Sequence, residues 1–241
     1  MERKFTFPAA NTYETLPGKP GDCGMIKMFG FWRSAASFRV RIALHLKGLP
    51  FEETMIDLDA GVQHSADYLA VNPQAVVPSL ILQDGTLLTQ SMAILEYLEE
   101  THPTPALLPA DAVGRARVRA LSLIWAADHH PLIVPRVRSY LRDRFGIDEA
   151  GRIDWVRHWF AEGLRIGEQR LAADPMTGRF CHGEQLSIAD LCLMSQAMGA
   201  RGFAVDFAPY PTISRIVDAC LRIDAVARAL PLRQPGAPAS H

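Results

Sequence analysis

The sequence predicts an α/β N-terminal domain over residues 25–101 followed by an all-α C-terminal domain over residues 110–235. Three features point there. Before residue 101, short runs with strand-like alternation trade places with short helical ones. Between Thr101 and Pro109 the prolines Pro103, Pro105 and Pro109 break all periodicity. Beyond them the apolar residues recur only at helical spacing.

Taken in order, residues 1–24 read as a Pro- and Gly-containing arm without periodicity. Ile26 to Phe31 alternates as a strand, and Phe38 to Leu46 carries apolar residues at helical spacing, with Gly48 placed as a C-terminal glycine. Phe51 to Leu58 suits a second strand, and Ser65 to Val71 a short helix. Asp84-Gly85 marks a hairpin between Ser79–Leu82 and Thr86–Leu88. Ser91 is expected as the N-cap of the helix that follows. In the second half a long helical pattern over 112–144 is interrupted at Pro131 and Pro135, which should kink or split it. A second helix is expected from Ile153 to Leu171. Ser187 and Asp190 have capping-box spacing, and Pro209-Tyr210-Pro211-Thr212 opens another helix.

Composition narrows the function classes. The chain is 49% hydrophobic, ample for a core, and its 25 Lys+Arg against 26 Asp+Glu leave a formal charge of -1. That balance disfavours nucleic-acid and polybasic membrane partners. The sequence offers no apolar run long enough for a membrane span and no secretory signal. Cys23, Cys181, Cys192 and Cys220 are scattered without a C-x-x-C pair, which fits reduced thiols in the cytoplasm better than a disulfide framework. His129-His130 lack a Cys or Asp ligand at metal-like offset, so no metal site is expected.

The turn after the first strand reads Ser34-Ala35-Ala36-Ser37. A helix N-terminus there offers unpaired N–H groups and about half a positive charge. With no cysteine in the turn, the chain lacks its own nucleophilic sulfur and suits a ligand's thiolate instead. Ser34 can donate a hydrogen bond to such a thiolate and lower its pKa, or Ser34 or Ser37 can simply cap the helix. Val77-Pro78 ahead of a strand is a candidate cis peptide, although X–Pro bonds are usually trans. Gln90-Ser91 at the next helix start offers N–H groups to a carboxylate, or serves as an ordinary cap.

Together these residues resemble the zeta class of glutathione transferases, above all the glutathione-dependent isomerases of maleylacetoacetate and maleylpyruvate. The matching segments are Arg33-Ser34 with Ser37 to Leu44, Asn72-Pro73, Val77-Pro78 and Gln90 to Ile94. The helical half adds His130-Pro131, Arg136-Val137, Ala189 to Leu193 and Tyr210-Pro211. The resemblance runs from about Met25 to Pro235. It implies a thioredoxin-like first domain within the glutathione transferase fold, glutathione as cosubstrate, and a homodimer.

By position, the resemblance implies Ser34 as the catalytic serine beside the glutathione sulfur. It implies Val77 with Pro78 at the cysteinyl backbone, Gln90 and Ser91 at the γ-glutamyl carboxylate, and Gln63 and His130 as further contacts. Arg33 and Arg136 stand as the residues for substrate carboxylates, with Arg201 or Arg138 as a further candidate. The chain departs from the class at Ala35 and Ala36, where Ser-Cys is common, and at Gly202, where an arginine is expected and Arg201 stands one place earlier. Ala36 itself occurs in maleylpyruvate-type members. The expected activity is cis–trans isomerisation of a maleyl acid. A conjugating transferase or dehalogenase, and a catalytically silent glutathione-binding relative, stay open as alternatives. For Arg138, Arg115, Arg117 and Arg119 the favoured reading is a solvated helix position, and for Trp125, Trp155 and Trp159 the core.

Overall fold

The computed structural model describes residues 25–238; the N-terminal arm expected at 1–24, with Cys23, lies outside them. The first half is β1 (Ile26–Gly30), α1 (Ala35–Leu46), β2 (Phe51–Met55), α2 (Ala66–Val71), β3 (Ser79–Ile81), β4 (Leu87–Thr89) and α3 (Ser91–Thr101). The sheet order is β2-β1-β3-β4, with β1 parallel to β2 and antiparallel to β3, and β4 antiparallel to β3. This is the mixed sheet of a thioredoxin-like unit, as the sequence predicts.

Local chemistry explains most boundaries. Ser34 caps α1, its hydroxyl oxygen accepting the Ser37 amide at 3.2 Å, and Gly48 follows the helix in the left-handed region at φ 65°. β2 stops at Met55, short of the expected Leu58, because the Asp57 carboxylate takes the Asp59 and Ala60 amides at 2.9 and 3.1 Å and turns the chain. Gly85 adopts φ 85° in the hairpin, where the Leu82 amide donates to the Thr86 carbonyl at 2.9 Å. The cap of α3 differs from expectation. Gln90 holds the N-cap position and Ser91 is the first helical residue, buried against the sheet.

In the second half the elements are α4 (Ala112–Leu123), α5 (His130–Ile133), α6 (Pro135–Phe145), α7 (Glu149–Ala173), α8 (Ile188–Gly202), α9 (Pro211–Leu221) and α10 (Asp224–Ala229). The expected 112–144 stretch splits as its prolines require. Pro135 keeps Val134 extended at φ -66°, ψ 156°, ending α5 and opening α6. A π turn over Ile124–His129 was not expected; His129 Nδ1 lies 2.6 Å from the Ile124 carbonyl oxygen across it. α7 begins four residues before the expected Ile153, because Asp148 caps it through the Gly151 amide at 2.8 Å. α10 had no sequence signal strong enough to separate it from α9.

Two arginines break the simple pattern of α1. Arg39 and Arg41 are both fully buried among the apolar residues of the helix. The main core spans both halves, joining Phe38 and Ile42 of α1 to Leu98 of α3, Val118 of α4 and Leu191 of α8. The proline-rich linker is pinned to it. Lys47 Nζ donates to Glu99 at 2.6 Å and to the Pro105 carbonyl at 2.7 Å, while Glu99 accepts the Leu107 and Leu108 amides. A second, smaller core of Phe31, Ile56, Tyr68, Val71 and Val77 lies beneath the turn that follows β1.

Candidate active site

The β1–α1 turn is held from behind. The Phe31 carbonyl accepts the Ser34 amide at 3.0 Å and Arg41 Nη2 at 2.8 Å, so one carbonyl ties the turn to both its own helix start and the core. Arg41 in turn grips Glu53 of β2 with two bonds of 2.7 Å, a fork–fork pair in a buried setting. Gly30 makes room for that carboxylate; a Cβ there would stand 1.9 Å from Glu53 Oε1. The outcome is a rigid turn that presents Ser34 and the first amides of α1. Ser34 both caps the helix and, among the described residues, has no acceptor for its own hydroxyl proton. The two alternatives for Ser34 are therefore compatible: the oxygen accepts from the helix while the hydroxyl proton stays available to a ligand.

The sheet register brings the other first-half positions to the same end. Phe29 pairs with Ser79 and Ser79 with Thr89, so the residues just past those pairs, Val77-Pro78 and Gln90-Ser91, lie alongside the turn. The Val77-Pro78 peptide is cis, although the general preference of X–Pro bonds favoured trans. Its approach is fixed by Tyr68 and Asn72, whose hydroxyl and amide both donate to the Val76 carbonyl, at 2.6 and 2.9 Å. Gln90 sits at φ 66°, ψ 110°, a conformation side chains rarely adopt, and its Nε2 donates to Gln74 Oε1 at 3.0 Å. Gln63 stands on the short turn before α2. Its Oε1 is buried and has no hydrogen-bond partner among the described residues. Such an orphaned acceptor suits a ligand N–H.

The helical half supplies the opposite wall. A cavity of 240 Å³ opens between the Arg33 turn, the Leu58-Asp59 loop and the faces of α6 and α7. Pro135, Arg138, Ser139 and Arg142 line it at i, i+3, i+4 and i+7, one face of α6. Arg152 of α7 and Phe203 at the end of α8 complete its edge. Arg33 is paired with Asp59, and Arg152 with Glu149. Arg138 lies over the Phe203 ring at 5.8 Å, and burial followed by the charge of Arg33 holds its guanidinium below its ordinary pKa. It remains a cation, since guanidinium groups do not lose a proton in proteins.

Residues 33–101 match the model of the glutathione S-transferase N-terminal domain. A maleylpyruvate isomerase of a Ralstonia species is 46% identical over 210 residues, covering 87% of this chain and 99% of that protein. The crystal structure of a maleylacetoacetate isomerase from Methylobacterium extorquens AM1, with bound malonate and glutathione, is 54% identical with a TM-score of 0.87, covering 88% of this chain and all of that one. A maleylpyruvate isomerase described as a bacterial zeta-class glutathione transferase is 45% identical, covers 88% of this chain and all of that one, and has a TM-score of 0.85. The chain belongs to the zeta class of glutathione transferases.

Within this zeta-class fold the anticipated site residues fall into three groups. Ser34, Val77, Pro78, Gln90 and Ser91 converge at one end of the sheet, and Arg33 lines the cavity beside them. His130, at the start of α5, is pushed down to about 3 by desolvation, then by Arg39 and Arg136, and is neutral. Arg136 and Arg201 do not line the cavity. Arg136 is exposed in the first turn of α6, and Arg201 is exposed at the end of α8, 3.9 Å from Asp218 and over Phe207. Gly202 faces open space.

Two readings of arginines change. Arg138 is partly buried on the cavity wall, not solvated; the signal was its i+3 spacing from Pro135 on the helix that Pro135 opens. Arg117 is structural, joining α4 to Asp174 at 2.7 Å and to the Cys181 carbonyl at 2.7 Å. Trp125 is core as expected, its indole N–H donating to the Gly163 carbonyl at 3.1 Å.

Proposed function

We propose that this chain is a glutathione-dependent cis–trans isomerase of a maleyl acid, maleylpyruvate or maleylacetoacetate, acting in the breakdown of aromatic compounds. The observation that carries the reading is the pairing of a serine-capped helix N-terminus at Ser34 with an arginine-lined cavity that begins at the adjacent Arg33. The first-half residues fit the tripeptide. Amides at the starts of α1 and α3 suit a thiolate and a carboxylate, and the orphaned Gln63 Oε1 suits an N–H. Relatives crystallised with glutathione support the same choice.

Bound glutathione would supply a thiolate that adds to one carbon of the double bond, the electron pair moving to the adjacent carbonyl, so that the bond turns as a single bond before the pair returns and the thiolate leaves. The chain's own part is electrostatic. The Ser34 hydroxyl donates to the sulfur and the N-terminus of α1 adds its positive end, both favouring the anion over the thiol. Arg33 faces the substrate with a guanidinium fork suited to a carboxylate. Ala35 and Ala36 leave Ser34 the one hydroxyl at the exposed edge of this turn, since Ser37 is buried.

The test follows the absorbance of maleylpyruvate and maleylacetoacetate with and without glutathione. Turnover should require glutathione, leave its thiol count unchanged, and fall about tenfold to a hundredfold in Ser34→Ala, the size of a lost hydrogen bond to a charged group. Consumption of thiol would instead identify a conjugating transferase. Glutathione binding without turnover would identify a silent relative.

The same reading includes a cytoplasmic homodimer. Val113, Ala116, Ala120 and Leu123 form an exposed apolar stripe on α4, with Val113 80% and Leu123 45% accessible. A stripe of this kind on a helix favours burial against a partner.

A further inference from the structure

The zeta-class arginine position on α6 is Arg136, yet the cavity is served by its neighbour two places on. We propose that Arg138 binds the substrate carboxylate remote from the thiol, so that the cavity selects a linear dicarboxylate whose other end meets Arg33. This deepens the isomerase reading and rests on it for the identity of the substrate, though not for the binding of a dicarboxylate.

Four features converge on Arg138. Helical geometry turns successive side chains by about 100°, so the face that puts Pro135, Ser139 and Arg142 on the cavity also puts Arg138 there and leaves Arg136 outside it. Two of the cations around it already hold carboxylates, Arg152 with Glu149 and Arg142 with Asp143 at 2.6 Å, while Arg33 meets Asp59 through Nη2 alone and keeps Nε and Nη1 for a ligand. Among the described residues Arg138 has no carboxylate partner, and its Nε is buried without an acceptor. Finally, the guanidinium lies over the Phe203 ring, 5.8 Å from its centroid, a cation–π contact that favours this position on the cavity wall. A buried N–H without an acceptor is costly. An incoming carboxylate relieves that cost and the repulsion from Arg33 together. The remaining donors of the fork suit bidentate binding.

The substitutions Arg138→Gln, Arg138→Lys and Arg136→Gln separate this role from a packing role on Phe203. In steady-state isomerisation, Arg138→Gln should raise the KM for the maleyl acid by about tenfold to a hundredfold, the size of a lost charged hydrogen bond. Its kcat should stay within about twofold, and glutathione affinity by calorimetry should be unchanged. Arg138→Lys should recover part of the loss, since it keeps the charge without the fork. Arg136→Gln should move KM less than Arg138→Gln does. A KM unchanged in Arg138→Gln, or a fall confined to kcat, overturns the proposal, as does a larger KM effect from Arg136→Gln.

Malonate titrated into the glutathione-saturated protein gives a second readout that needs no turnover. Its affinity should drop by a similar factor in Arg138→Gln; equal affinity in parent and variant overturns the assignment. If the parent turns over no maleyl acid, the isomerase reading fails while the malonate titration still decides Arg138.

Discussion

Ser34 carries two duties through one oxygen and one proton, and they separate experimentally. Loss of its cap should cost about 1 kcal/mol of stability, small beside the expected loss of turnover in Ser34→Ala. His130 differs in kind, because its protonation is set by surroundings that exclude charge. Its pKa in the fold, about 3, lies below the 6.5 of an unperturbed histidine. Between those values the unfolded chain binds more protons at this site than the native one. Stability therefore rises with pH across that window and is lost as pH falls through 6.5 toward 3. Urea unfolding at pH 7 and pH 4.5 should show His130→Asn losing less stability on acidification than the parent. Equal losses would mean that His130 is not held neutral. Asp190 is raised by burial and contributes with the opposite sign, so the difference between parent and variant isolates the histidine.

At the scale of elements, the β1–α1 turn depends on a residue pair that neither flanking motif displays. Arg41 lies two turns along α1 from Ser34, and Glu53 is on the neighbouring strand. Removing one member strands the other as a buried charge, at a cost of about 3–5 kcal/mol. Glu53→Gln should therefore lower the unfolding free energy markedly. Gly30→Ala should act on the same clamp, since its Cβ collides with the carboxylate that Arg41 holds. Both variants should lose activity with stability; a stable, active Gly30→Ala protein would show that the clamp is dispensable. The π turn works similarly for α5. It ends directly before His130, and Gly167 lets Trp125 of the turn pack close to α7, where a Cβ would stand 2.7 Å from its ring.

For the whole molecule, the two halves share one core and are tied through the linker, where the Ile188 amide donates to the Leu107 carbonyl at 2.9 Å. The cavity exists only because α6 and α7 are held over the Arg33 turn, so its chemistry belongs to neither half alone. On the outer surface, the apolar stripe of α4 predicts self-association. Light scattering should give the parent twice the mass of the chain, and Ala116→Glu with Leu123→Glu should shift it to the monomer. A parent already monomeric at micromolar concentration would refute the dimer.

Sequence alone was sufficient for the order of elements, the serine turn, the hairpin and the proline breaks. Each of these is a local matter of backbone preference, capping or periodicity that a few neighbouring residues settle. It also placed Ser34, Val77 and Gln90 at element ends, where sheet register then gathers them. It misjudged Ser91 as a cap, ranked a solvated position for Arg138 above a substrate contact, and had no means to see Arg41 clamping the turn or Gln63 with an orphaned oxygen. Those depend on which face of a helix meets which distant segment, a choice made by packing between elements. A one-residue step along α6 separates an exposed arginine from a proline on the cavity wall, and only the tertiary contacts select the face.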